Sequence, residues 1–192
     1  MAFIIGKCAF MKNSMHVART ISYLERQSAL FSDSGELNFE QAYQSYIDAS
    51  PPRVWHHIIS LSAEDAQRLN VDREYMKQLL CVEQSRIAEA YNTVPSNMRI
   101  VASWHEKDHH PHLHLLFYST DRREGGVWAH TDQEAKVKLN DASEKVKSLF
   151  ANRIFTDDLA PLKEIKNMRR AELNQQVKQS IRAIAQHDPS DE

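Results

Sequence analysis

Two strand-like runs, MRIVASWH (98–105) and HLHLLFYS (112–119), lie only six residues apart, joined by the polar segment EKDHHP. A link this short cannot carry the crossover that a parallel pair needs, so the two runs predict an antiparallel hairpin. Helical segments lie on both sides of it along the chain. The expected class is therefore α+β, a central and mostly antiparallel sheet flanked by helices.

The rest of the chain reads consistently with that class. AFIIGKCAF (2–10) is short, aromatic and β-branched, which favours a strand. Asn13 and Ser14 can cap a helix from about 15 to 31 that keeps Val17, Ile21, Leu24 and Ser28 on one face. Residues 32–38 read as a turn, and NFEQAYQSYIDA as a short helix with Phe39, Tyr43, Tyr46 and Ile47 on one stripe. Ser50-Pro51-Pro52 stops that helix. WHHIISLS (55–62) reads as a strand, Ser62 with Asp65 opens a helix in the manner of a capping box, and a longer helix spans about 72–91.

After the turn DRREGG, VWAH is expected as an edge strand, 131–152 as a helix, and Pro161 as the start of a last helix. Residues 1–160 are expected to form one domain, with 161–192 as a basic helix and tail packed on it.

At 192 residues the chain can bury a sizeable core without help, so a metal in it would be functional rather than structural. The formal charge of −2 gives no global pull toward nucleic acid, but the charge is segregated. Residues 1–32 carry Lys7, Lys12, Arg19 and Arg26 against Glu25, whereas 33–50 carry four acids and no base. The last helix carries six bases against two acids between 163 and 182. Cys8 and Cys81 lack CxxC spacing and read as buried free thiols. No apolar run reaches the ~20 residues of a membrane span, and residues 1–10 are too short for a signal sequence, so the expected location is cytoplasmic.

Five of the ten histidines fall within ten residues, in WHEKDHHPHLH. Alternate residues of a strand share a face, so His112 and His114 project together while Leu113 and Leu115 enter the core. His105, at the end of the preceding strand, closes the third corner. Three neutral imidazoles suit a first-row divalent ion with positions left for a substrate oxygen. Asp108 or Glu106 can add a carboxylate, with Asp108 favoured. His109 and His110 lie in the turn. His56 and His57 open a strand on opposite faces, so one is expected buried and hydrogen-bonded and neither is a favoured ligand.

His105-x6-His112-Leu113-His114, followed by Leu115-Leu116-Phe117, resembles the three-histidine motif of HUH endonucleases, the superfamily of conjugative relaxases and rolling-circle initiators. That resemblance implies a divalent metal, Mn²⁺ or Mg²⁺, and a tyrosine that nicks one DNA strand and stays attached to the 5′ phosphate. ISYLERQSA around Tyr23, then WHHIISLSAED, then RIVASWHEKDHHPHLHLLF resemble in order the motif regions of mobilisation relaxases of the MobP and MobL type, over about 3–119. It further implies single-stranded DNA at an origin of transfer as substrate, with relaxosome accessory and coupling proteins as partners. The chain departs from the commoner relaxase pattern in having Lys107, not Asp, two residues after the first histidine.

Helical spacing sorts the tyrosines. Tyr43, Tyr46 and Tyr75 belong to apolar stripes and read as core, and Tyr118 ends the histidine strand. Tyr23 is off the Val17, Ile21, Leu24 face, grouped with Arg19 at i−4 and Arg26 at i+3. Two guanidiniums there can orient a phosphate and stabilise a phenolate. In relaxases the nucleophile precedes the histidine motif, as Tyr23 does; some use a histidine in that region, which leaves His16 as an alternative. Arg19, Arg26 and Lys12 are the expected phosphate contacts, with Trp104 and Trp128 as stacking candidates. The rival readings are a rolling-circle initiator, a water-activating metal hydrolase, and a passive DNA or metal binder.

Overall fold

A computed structural model describes residues 5–11, 13–107, 109–124 and 132–185. Six strands form one sheet: β1 (Ile5–Met11), β2 (Leu30–Ser32), β3 (Gly35–Leu37), β4 (Val54–Ser60), β5 (Met98–His105) and β6 (His112–Ser119). Their order is β1-β4-β6-β5-β2-β3, and every pairing is antiparallel. The helices are α1 (Ser14–Gln27), α2 (Phe39–Ala49), α3 (Ala63–Arg68), α4 (Arg73–Ala90), α5 (Asp132–Ile154) and α6 (Thr156–Ala185).

The hairpin predicted from the histidine segment is β5–β6, with the bounds read from the sequence. It is buried on both faces, because helices cover both. On one face Val17, Ile21 and Leu24 of α1 and Ala42 and Tyr46 of α2 pack with Met11, Val54, Val101, Leu116 and Tyr118. The opposite face holds Trp55, His57 and Phe117, on which the ring of Tyr91 closes from the end of α4.

Asn13 caps α1 by accepting from the Met15 amide, Asn38 and Gln41 form a capping box on α2, and Ser62 caps α3 through the Asp65 amide.

Four sequence expectations need correction. The first helix stops at Gln27 instead of near 31: the Ser28 amide bonds back to the Leu24 carbonyl, and Leu30 and Phe31 pair with Ser103 and Ala102. The expected turn at 32–38 holds the second strand of a tight hairpin, β3, where Gly35 adopts φ 146°, a conformation open to glycine. Cys81 is exposed, although both thiols are free. Pro161 lies inside α6, which begins at Thr156, where Asp157 and Asp158 complement the helix N-terminus. The expected VWAH strand falls outside the described residues.

Chain contacts separate two units, Met1–Ile154 and Phe155–Glu192. The second consists of α6, whose apolar stripe includes Leu173, Val177 and Ile181, all exposed. No helix among the described residues is long and apolar enough to cross a membrane.

Candidate metal centre and its cleft

The β5–β6 register puts His105 directly opposite His112, and His114 opposite Ser103. Strand parity turns all three imidazoles toward the α1 face, while Trp104 and Leu113 point the other way into the core. One ring nitrogen from each lies within 4.8 Å of the others. Ring centroids are 5.0 Å apart for His105 and His112, 4.6 Å for His105 and His114, and 5.0 Å for His112 and His114. Among the described residues this donor set contains no carboxylate.

Hydrogen bonds sort the nitrogens. His112 Nδ1 lies 2.8 Å from the His110 carbonyl oxygen, which can only accept, so Nδ1 carries the proton and Nε2 keeps its lone pair. His114 Nδ1 lies 2.9 Å from His56 Nε2 on β4. His105 is 3% exposed, and neither of its ring nitrogens has a hydrogen-bond partner among the described residues. A buried polar atom left unpaired costs about 1–3 kcal/mol, and a cation accepting the imidazole lone pair removes that cost. The cluster therefore fits a nitrogen-liganded divalent ion.

Burial keeps the His105 and His114 rings neutral and able to donate. Burial, reinforced by His112 and Lys107, pushes His105 down to about 4. Burial pushes His114 to about 3, with His56, His105, His112 and Lys107 adding to the shift. His56 falls to about 4 through burial and the neighbouring His16.

Beside the histidines opens a cleft of about 630 Å³, lined by Asn13, His16, Arg19, Thr20 and Tyr23 of the α1 region together with His56 and His114. Tyr23 is 41% exposed, and its ring stands edge-on to those of His105 and His114, with centroids 6.1 and 6.4 Å away. This arrangement follows from α1: Val17, Ile21 and Leu24 seat it on the sheet, leaving Tyr23 on its flank above the histidine end of β5 and β6.

The other candidates are placed as follows. Arg26 is exposed and turns back to donate from Nε to the Ser22 carbonyl at 3.2 Å. Glu106 is exposed and lines a separate hollow with Lys107 and Trp104. Lys12, Asp108 and Trp128 lie outside the described residues. Trp104 is 2% exposed, so a stacking role is overturned by core packing. Tyr118 is 2% exposed and donates to Ser45 Oγ at 2.9 Å. Tyr46 is buried as expected, whereas Tyr43 is half-buried. His57 is the buried member of the His56–His57 pair, 2.6 Å from the Tyr91 hydroxyl.

His56 is the residue that sequence reasoning passed over. The register that pairs Ile58 with His114 puts His56, two positions earlier, on the same face, and that register belongs to the packing of β4 on β6, not to any spacing along the chain.

A search of curated proteins and a search of solved structures each found no match. The family model for MobL relaxases matches residues 10–189, well past the 3–119 over which the motifs are recognisable by eye. A match of that extent, on a sheet that presents three converging histidines, settles the kinship: the chain belongs to the MobL relaxase family.

Proposed function

We propose that this protein nicks one strand of DNA at a plasmid or mobile-element origin of transfer and carries out strand transfer by transesterification on Tyr23. The single observation that carries the reading is the placement of the exposed Tyr23 ring over His105 and His114, at the mouth of a cleft that also holds Arg19 and His16. His105, His112 and His114 would hold a divalent ion, Mn²⁺ or Mg²⁺. When bound, the ion supplies a Lewis acid at the scissile phosphate, and the neutral imidazoles leave its charge uncompensated.

Arg19 binds the DNA backbone beside the nick and orients it by charge-assisted hydrogen bonds. Tyr23 loses its phenolic proton to solvent, and its oxygen attacks phosphorus. The P–O3′ bond breaks, its electron pair leaves on the 3′ oxygen, and that oxygen takes up a proton. The products are a 5′-phosphotyrosyl protein and a free 3′-OH, with the energy of the phosphodiester retained for the reverse step. Bacterial relaxosome accessory and coupling proteins are the expected partners.

The test is to incubate the protein with Mn²⁺ and a pool of random single-stranded DNA, isolate SDS-stable adducts and map the attachment by peptide mass. The reading expects an adduct on Tyr23 that is lost in Tyr23→Phe. Attachment at His16, which lines the same cleft, would transfer the nucleophile's role. Cleavage without any adduct, preserved in Tyr23→Phe, would replace transesterification with hydrolysis.

A further inference from the structure

We propose that His56 is a positioning residue for the metal centre: its Nε2 accepts the Nδ1–H of His114 and holds that ring in the tautomer whose Nε2 is free to ligate a divalent cation. This rests on the three-histidine centre proposed above.

The geometry is specific. His56 and His114 lie on adjacent antiparallel strands, and the Ile58–His114 pairing places His56 diagonally across from His114 on the same face. Their rings are 5.2 Å apart and nearly parallel at 27°, with Nε2 and Nδ1 separated by 2.9 Å. A neutral imidazole carries one proton. If His114 ligates through Nε2, that proton must sit on Nδ1, and the atom waiting for it is His56 Nε2.

His112 obtains the same result by a different route, donating its Nδ1–H to the His110 carbonyl. Two of the three ligands are thus oriented by an acceptor behind them, one from the hairpin turn and one from a neighbouring strand. An imidazole acceptor has no negative charge, so it orients His114 without offsetting the cation's attraction for phosphate. His56 also lines the cleft beneath Tyr23, which places it at the metal site instead of in the sheet's apolar interior.

The experiment uses the full chain with two polar, uncharged replacements. His56→Gln puts an amide oxygen near the position of Nε2; His56→Asn is too short to reach His114. Mn²⁺ affinity is measured by titration, the Co²⁺-loaded visible spectrum reports ligand geometry, and circular dichroism checks folding. The expectation is a loss of about 10–100-fold in affinity and an altered Co²⁺ spectrum for His56→Asn, with His56→Gln restoring most of both.

Equal behaviour of the two variants, whether both match the wild type or both are weakened alike, would overturn the proposal, as would absence of saturable metal binding by the wild type. The DNA adduct assay fails independently: a chain whose metal affinity follows this order but that never forms an adduct keeps the inference and loses the proposed reaction.

Discussion

His105 stands directly opposite His112 in the β5–β6 register, yet only His112 has a hydrogen-bond partner for its ring. The asymmetry predicts opposite effects of metal and of mutation on stability. Mn²⁺ at 100 times its dissociation constant should stabilise the fold by about 2.7 kcal/mol, a rise in midpoint of roughly 5–10 °C for a chain of this size. His105→Leu should abolish that rise. In EDTA the same variant should be about 1 kcal/mol more stable than the wild type, because it removes the two unpaired nitrogens. Thermal scans with and without Mn²⁺ check both; an unchanged Mn²⁺ response in His105→Leu would remove His105 from the ligand set.

Acid should unfold the metal-free protein at mild pH. His56, His57 and His105 are held near 4 and His114 near 3, below the ordinary 6.5 of an unfolded chain, mainly by burial. A depressed value means that the unfolded chain binds protons more readily, so the stability is present above about 6.5 and is lost as pH falls toward 4. Each group takes away up to about 1.4 kcal/mol per pH unit inside that window. Urea midpoints of the metal-free protein should fall between pH 7 and 4.5. Flat midpoints across this range would refute neutral burial of these rings.

How much of this was readable beforehand follows from element length and from register. The β5–β6 hairpin and the seating of α1 through Val17, Ile21 and Leu24 were legible, because eight-residue strands and a fourteen-residue helix leave unambiguous periodicities. β2 and β3 were not, since three residues each show no alternation and Leu30-Phe31 reads equally well as the end of a helix. The three histidines converge because they share one hairpin, which sequence spacing reveals. The contacts of His56 with His114 and of Tyr23 with His105 depend on how β4 and α1 pack against that hairpin. Spacing along the chain carries no such information.

Glu83 predicts an asymmetry in the core between α4 and α5. Its carboxylate is fully buried and pairs with Arg153 and, at 3.4 Å, with Arg86, whose side chains are 48% and 60% exposed. Removing the acid takes the buried charge away, whereas removing Arg153 leaves that charge with a single long contact. Arg153→Leu should therefore destabilise by about 3 kcal/mol, and Glu83→Leu by much less or not at all. Urea unfolding of the two variants measures the order; Glu83→Leu proving the more damaging would show that the pair itself stabilises the fold.

Arg19 and Arg26 are separated by two helical turns of α1 and should differ in what they do to DNA. Arg19 lines the cleft under Tyr23, while Arg26 is folded back onto the Ser22 carbonyl. Each phosphate neutralised on a single strand contributes about 0.7 to the slope of log affinity against log salt. Arg19→Ala should lower that slope by about this amount and weaken binding of an unrelated oligonucleotide to a similar degree, since a backbone contact reads no sequence. Arg26→Ala should leave the slope within error. Fluorescence anisotropy with a labelled single strand at several salt concentrations gives both values. An unchanged slope in Arg19→Ala would mean that the strand does not cross this cleft, and the phosphate track would then have to be sought on another face of the sheet.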